Sequence, residues 1–217
     1  MNANQPEHHR PRFLALGDSY TIGEGVTADE CWPAQLARRL RARGIEVDDP
    51  AILAKTGWTT DELSAAMDAA TFHPPYALVT LLIGVNNQYR GRELGNYRTQ
   101  LAALLQRAVE LAGGNVRRVV MVSTPDWGVT RFALEQGRNP SRIATEIDAF
   151  NAAARTLARA NGIEFVDITA ISRARATPDM LVADGLHPSV SQYAVWSDTL
   201  IDGAARALSG SAALHNA

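Results

Sequence analysis

Three side chains that could together perform nucleophilic catalysis stand near opposite ends of the sequence. Ser19 follows a short apolar run, a glycine and an aspartate, so the chain reads as a strand, a sharp turn, a serine and then a helix. That geometry presents a hydroxyl group at the carboxyl edge of a sheet, where ligands gather. Asp184 and His187 stand three residues apart in a predicted tight turn, a spacing that lets the carboxylate accept the imidazole Nδ1–H.

Each of these signals also has a purely structural explanation. Gly-Asp-Ser is ordinary turn chemistry, and an Asp-x-x-His turn is compatible with a solvated surface. The combination favours catalysis, because a serine hydroxyl is a weak nucleophile until a general base removes its proton. His187 is the best candidate for that base. The remaining histidines lie in predicted tails or beside a Pro-Pro step: His8, His9, His215 and His73.

Acyl transfer also needs donors for a tetrahedral oxyanion, each worth about 3 kcal/mol. Three candidates are the backbone N–H groups of Ser19 and Gly57 and the side-chain amide of Asn86. Gly57 follows the second predicted strand, where it either presents its N–H to a ligand or only turns the chain. Asn86 begins a run of three amides directly after the most apolar strand, and a site there would use them better than solvent would.

Alternating apolar runs and helical periodicities predict the elements that position these residues. We expect a parallel sheet with helices on both faces, because strands and helices alternate at regular intervals. Ser19, Gly57, Asn86 and Asp126 each follow a different strand, so all four fall at the same edge of the sheet. The predicted strands span residues 13–16, 50–54, 76–83, 116–123 and 163–168. The predicted helices span residues 30–43, 94–111, 143–160 and 190–208, with a further helix capped by Thr59 or Thr60.

Four motifs of the chain resemble the four conserved blocks of the GDSL, or SGNH, hydrolases. They are Gly-Asp-Ser-Tyr around Ser19, the lone Gly57, Gly84-x-Asn86 and Asp184-x-x-His187. Each motif is weak alone, but the four occur in the order of the family and span most of the chain. One departure is Tyr20, which stands where the motif that names the family has leucine. Tyr20 flanks the nucleophile without reacting, so it bears on the shape of the pocket more than on activity.

The resemblance implies a fold, an activity and a role for each site residue. The fold is a three-layer α/β/α, flavodoxin-like domain with a five-stranded parallel sheet of order 2-1-3-4-5. The activity is hydrolysis of carboxylic esters through an acyl-enzyme. Ser19 would be the nucleophile, His187 the base and Asp184 its orienting residue, with Gly57 and Asn86 as oxyanion donors.

Composition excludes several other classes of protein. The chain has 217 residues, which suit one α/β domain, predicted here over residues 12–208 between tails at 1–11 and 209–217. A net charge of −2 without a basic cluster argues against nucleic acid or an anionic membrane as a partner. Cys31 is the single cysteine, so no internal disulfide forms, and it is interpreted as a packing residue. No signal peptide or membrane span is recognised, which leaves the cytoplasm as the default location.

Other chemistries lack their motifs in this sequence. There is no G-x-S-x-G, no complete dinucleotide or P-loop fingerprint and no HExxH, so no cofactor and no metal are expected. The adjacent His8 and His9 are interpreted as part of a disordered tail. The oligomeric state is not predicted.

The substrate is predicted only as a small-molecule ester with a short to medium acyl chain. Candidate pocket walls are Trp58, Tyr89, Trp127 and Phe132, and residues 130–142 could form a lid. The same site would serve a lysophospholipase, an acyl-thioesterase or a carbohydrate O-deacetylase. A catalytically silent ligand-binding domain and a partner-binding scaffold are the alternatives outside catalysis.

Overall fold

A five-stranded parallel sheet forms the centre of the computed structural model, which describes residues 10–175 and 177–212. Its strands lie in the order β2-β1-β3-β4-β5, and every pairing is parallel. The predicted α/β class and strand order are therefore confirmed. The strands are β1 Phe13–Gly17, β2 Ala51–Ala54, β3 Leu78–Leu82, β4 Val119–Val122 and β5 Glu164–Val166.

Helices cover both faces of the sheet. Along β1 the side chains alternate, with Phe13 in one hydrophobic core and Leu14 in the other. The first core is filled mainly by α2 (Trp32–Ala42) and α9 (Val190–Ala212), and the second by α3 (Thr60–Ala69), α5 (Leu94–Leu111) and much of α7 (Pro140–Ala160). The helices of the described residues are α1 Ser19–Ile22, α2 Trp32–Ala42, α3 Thr60–Ala69, α4 Val85–Tyr89, α5 Leu94–Leu111, α6 Arg131–Glu135, α7 Pro140–Ala160, α8 Thr169–Ala174 and α9 Val190–Ala212.

Helix α2 shows how the apolar spacing produces the packing. Trp32, Leu36 and Leu40 recur every four residues, so they form one stripe, and all three are buried against the α9 side of the core. The helix is slightly shorter than the predicted span of residues 30–43. Cys31 precedes its first residue, and burial raises the pKa of the Cys31 thiol. A buried, protonated thiol is consistent with the packing role predicted for it.

The segment between β4 and α7 departs most from the predicted loop. It contains a 3₁₀ turn, Trp127–Val129, followed by the short helix α6. Helix α7 begins at Pro140, before the predicted residue 143, because Asn139 caps it by accepting a hydrogen bond from the Arg142 backbone N–H.

Two further short helices, α4 and α8, form where no helix is predicted, and other differences lie at element ends. Strand β4 begins at Val119, because a 3₁₀ turn occupies residues 116–118, and α9 continues past residue 208 to Ala212. Residues 1–9, with His8 and His9, and residues 213–217, with His215, lie outside the described residues, so the tail predictions stay predictions. None of the described helices is both long and apolar enough to cross a membrane.

Candidate active site

Ser19 follows the carboxyl end of β1 and is the first residue of α1. The preceding Asp18 caps this helix, and its Oδ1 accepts a hydrogen bond from the Tyr20 backbone N–H at 3.1 Å. Gly17 is required by a close approach, because a Cβ atom there would lie 2.5 Å from the carbonyl oxygen of Leu82. The strand and the cap together hold the Ser19 hydroxyl in a turn, with 4% of the residue exposed.

His187 and Asp184 form the pair that the spacing predicts. Nδ1 of His187 lies 2.6 Å from Oδ2 of Asp184. The other carboxylate oxygen, Oδ1, accepts the backbone N–H groups of Leu186 at 2.7 Å and His187 at 2.9 Å. Partial burial would raise the pKa of Asp184, but the hydrogen bonds from the His187 ring and from both backbone N–H groups hold it below its ordinary value. An ionised carboxylate only accepts hydrogen bonds, so Nδ1 carries a proton and Nε2 is left as the basic nitrogen.

One pocket joins four of the five predicted site residues. It has a volume of about 170 Å³ and is lined by Ser19, Gly57, Asn86 and His187 together with Tyr20, Thr56, Val85, Tyr89, Trp127, Phe132 and Leu186. Asp184 does not line it and reaches the site through His187. Residues from four separate parts of the chain therefore converge at the carboxyl edge of the sheet.

Two of the three predicted oxyanion donors, the Gly57 backbone N–H and the Asn86 side-chain amide, lie in the turn after β2 and in α4. Gly57 has φ +85°, a backbone conformation that favours glycine. The Asn86 side chain donates one amide hydrogen to the Trp58 carbonyl oxygen at 3.0 Å, which leaves its second N–H for a ligand. Gly84, with φ +130°, makes the turn into α4, and a Cβ there would lie 2.6 Å from the Tyr97 ring.

The sequence comparison assigns this arrangement to a family. The model of the GDSL-like lipase/acylhydrolase family matches residues 15–195, a span that includes all of the predicted site residues. The chain belongs to this family. It is accordingly an ester hydrolase by family, as its four motifs suggested. No curated protein sequence matches the chain.

Solved structures share the fold at low sequence identity. The crystal structure of TesA is similar with a TM-score of 0.70 and 20% identity, over 88% of this chain and 97% of that one. A lipase/acylhydrolase from Enterococcus faecalis has a TM-score of 0.69 and 20% identity, with 90% and 95% covered. Axe2, an acetylxylan esterase from Geobacillus stearothermophilus, has a TM-score of 0.68 and 18% identity, with 89% and 94% covered.

Beyond the family motifs, α4 and its C-cap residue Arg90 hold the turn after β2 through contacts that the sequence did not reveal. The Arg90 guanidinium donates to the Gly57 carbonyl oxygen at 2.5 Å and pairs with Glu62 at 3.2 Å. The Asn87 side chain accepts the Thr60 backbone N–H at 3.1 Å. These bonds tie the turn that contains Gly57 to the helix that carries Asn86.

The three amides of this GDSL-like chain have separate contacts. Asn86 lines the pocket, whereas Asn87 is fully buried against the β2–α3 turn. Gln88 accepts the Trp127 indole N–H at 2.7 Å and donates to Glu146 at 2.7 Å. Of the three amides, Asn86 alone lines the pocket, while Asn87 and Gln88 contact the turn after β2 and the wall residue Trp127.

Three of the four aromatic residues expected to form pocket walls line the pocket. They are Tyr89, Trp127 and Phe132. The expectation for Trp58 was wrong: it does not line the pocket and packs instead against the core on the α3 and α5 side. Asp126 does not line this pocket either. Its carboxylate pairs with Arg173 at 2.8 Å and accepts a hydrogen bond from the Gly128 backbone N–H.

Asp18 is a buried acid beside the nucleophile that the sequence analysis did not single out. It is 0% exposed, and its Oδ2 has no hydrogen-bond partner among the described residues. Burial raises the pKa of Asp18 to about 7, although the Tyr20 N–H favours the charged form. The turn that presents Ser19 thus contains a carboxyl group that titrates near neutral pH.

Proposed function

We propose that this chain is a serine esterase that cleaves carboxylic esters with short to medium acyl chains. The observation that carries the proposal is the His187 ring, which an ionised Asp184 holds at Nδ1 in a pocket that Ser19 also lines. A base with a fixed tautomer beside a hydroxyl group is the arrangement that activates serine as a nucleophile.

The reaction would proceed in two steps. His187 Nε2 takes the proton from Ser19 Oγ as the oxygen attacks the ester carbonyl carbon, and the carbonyl oxygen becomes negatively charged. The N–H groups of Ser19 and Gly57 and the free amide hydrogen of Asn86 would stabilise that oxygen. When the intermediate collapses, protonated His187 returns the proton to the leaving alkoxide. Water, deprotonated by the same nitrogen, then releases the acid from Ser19.

The size of the pocket supports the limit on acyl chain length. Its volume of about 170 Å³ lies below the range of about 300–1,000 Å³ typical of pockets for drug-sized ligands. Tyr89, Trp127 and Phe132 provide apolar walls, and the hydrogen bond from Trp127 to Gln88 fixes the largest of them. A short acyl chain would fill this space, whereas a long one would have to extend beyond it.

Hydrolysis of p-nitrophenyl esters from acetate to palmitate tests the proposal, with the Ser19→Ala variant measured beside the wild type. We expect the highest kcat/KM at short to medium chains and loss of nearly all activity in the variant. Labelling by a fluorophosphonate, present in the wild type and absent in Ser19→Ala, would report a reactive serine independently of the substrate.

Three results would contradict the proposal in different ways. Equal turnover by Ser19→Ala and the wild type would remove the serine mechanism. A strong preference for acyl-thioesters, lysophospholipids or acetylated carbohydrates in the same panel would replace the substrate class. No turnover and no labelling would favour a catalytically silent binding domain.

A further inference from the structure

A second, larger cavity adjoins the catalytic pocket. It has a volume of about 620 Å³, and Tyr89 lines both spaces. Its charged lining residues are three arginines and one glutamate: Arg92, Arg138, Arg142 and Glu146. We call this space the arginine groove. Its positive excess contrasts with the catalytic pocket, whose lining is largely apolar apart from the site residues.

Most charges of the arginine groove already have partners. Glu146 accepts hydrogen bonds from Arg142 at 2.8 Å and Gln88 at 2.7 Å, and the hydrogen bond from Arg142 is the main cause that lowers the pKa of Glu146. Arg92 lies 3.4 Å from the Asp61 carboxylate. Arg138, in contrast, forms no ion pair within 4.0 Å among the described residues, although its charge also contributes to lowering the pKa of Glu146. The positive charge left over in the groove is therefore that of Arg138.

Arg138 is also held against the wall of the catalytic pocket. Its guanidinium carbon lies 5.3 Å from the ring centroid of Tyr89 and 5.3 Å from that of Trp127. The two rings contact each other edge to face at 5.2 Å, and both line the catalytic pocket. Stacking on aromatic faces orients a guanidinium group without using its N–H donors, which then suit bidentate binding of a carboxylate or a phosphate.

We propose that the arginine groove binds an anionic group of the substrate, and that Arg138 recognises it. The substrates would then be esters that carry a carboxylate or a phosphate beyond the scissile bond, on the acyl chain or on the leaving group. This inference rests on the proposed esterase function, because it specifies which esters that site accepts. Tyr89 lines both spaces, and Trp127 contacts both Tyr89 and Arg138, so the uncharged part of the substrate would pass along these rings.

Matched pairs of neutral and anionic esters test the inference. The first pair is p-nitrophenyl pentanoate and the p-nitrophenyl monoester of glutarate, which places a carboxylate on the acyl chain. The second pair compares butanoate esters of 4-hydroxybenzamide and 4-hydroxybenzoate, and the third compares 2-hydroxyethyl butanoate with its phosphate. The measured quantity is the ratio of kcat/KM for the anionic ester to that for its neutral partner.

We expect this ratio to exceed one in the wild type for at least one pair. Arg138→Gln should lower it by about tenfold, since the variant loses the charge-assisted hydrogen bonds to the anion. Arg138→Lys should retain part of the preference, and 1 M NaCl should reduce it by screening. Arg159→Gln is the matched control: it makes the same charge change on an exposed residue at the far end of α7 and should leave the ratio unchanged.

Two controls separate failure of this inference from failure of the esterase function. If Ser19→Ala loses turnover of the neutral esters, the esterase function stands, and equal ratios in wild type and Arg138→Gln would then overturn the anion site alone. Calorimetric titration with monobutyl phosphate measures binding without ester turnover. Binding by the wild type and Arg159→Gln but not by Arg138→Gln would support the site even if no ester were cleaved; no difference among the three would overturn it.

Discussion

The two turns that carry the reactive side chains each contain an aspartate, and the pKa values of these two acids are shifted in opposite directions. Asp18, before Ser19, is fully buried with one hydrogen bond, so desolvation raises its pKa to about 7. Asp184, before His187, accepts three hydrogen bonds, which hold its pKa below the ordinary value. Burial and the number of donors around each carboxylate, rather than its distance along the chain from a reactive residue, decide which acid stays ionised and can support a protonated imidazole.

Asp184→Asn is the substitution that would break this comparison most completely. An amide cannot stabilise the imidazolium and favours the wrong tautomer of His187, so we expect kcat/KM to fall by about 10³–10⁴-fold. Hydrolysis of p-nitrophenyl butanoate would measure the loss. Asp179→Asn, an exposed acid in the same region, is the control and should keep full activity. Comparable activity of both variants would show that the 184 carboxylate has no role in orienting the base.

Asp18→Asn should change the pH dependence of stability. The folded state keeps a proton on Asp18 up to about pH 7, whereas the unfolded chain releases it near the ordinary pKa of 3.8. The folded state therefore binds more protons between these values, and this group makes stability fall as pH rises from about 4 to about 7. Raising the pKa of Asp18 from 3.8 to about 7 corresponds to a penalty of up to about 4 kcal/mol above pH 7, which the variant lacks.

Urea unfolding of wild type and Asp18→Asn at pH 4.5 and 7.5 checks this prediction. The variant should gain stability relative to the wild type at the higher pH. Asp184 contributes with the opposite sign, because its lowered pKa adds stability above its ordinary pKa that is lost as pH falls through the folded value. Parallel pH curves for wild type and Asp18→Asn would show that the buried acid is ionised in the folded protein at both pH values.

Gly57→Ala extends the comparison of the Asp18 and Asp184 turns to a third turn, the one after β2. This turn is expected to support the reaction through a backbone N–H and not through a carboxylate. A Cβ at this position meets only the Arg90 side chain, at 3.6 Å, so the cost comes from the positive φ, about 1–2 kcal/mol. Rotation of the peptide should lower kcat by roughly tenfold or more with little change in KM, since a lost oxyanion donor acts in the transition state. Kinetics and thermal unfolding of the purified variant measure both effects.

Gly44→Ala is the matched control for this prediction. Gly44 has a similar φ of +77°, and a Cβ there has nothing within 4 Å. It should lose a similar amount of stability and keep its kcat. Equal kcat in both variants would mean that the Gly57 N–H does not contact the oxyanion.

Local signals explain why the fold could be predicted from the sequence. The apolar run that contains β3 and the four-residue spacing in α2 are determined by residues close together in the chain, and α5 was predicted with both ends as observed, Leu94–Leu111. The candidate site residues were identified in the same way, since each follows a strand or stands in a short motif. Their catalytic roles stay predictions until the variants are measured.

Contacts between distant residues explain what could not be predicted. Arg90 and Gly57 are separated by 33 positions, Trp127 and Gln88 by 39, and Gln88 and Glu146 by 58. No periodicity or motif indicates such pairs, because each depends on how the helices pack. The raised pKa of Asp18 is of the same kind, since the burial that causes it comes from elements that are remote in the chain.

Helix α4 has a consequence for how the selectivity of this enzyme can change. Within five residues, Val85–Tyr89, it carries the pocket amide, the bond to the β2–α3 turn, the support of Trp127 and the wall shared with the arginine groove. A substitution in α4 that alters one of these contacts disturbs its neighbours in the same turn of helix. Residues 130–139 include Phe132 of the pocket wall and Arg138 of the arginine groove, but none of the predicted catalytic or oxyanion residues. Libraries built for new substrates should therefore randomise that segment and leave α4 intact.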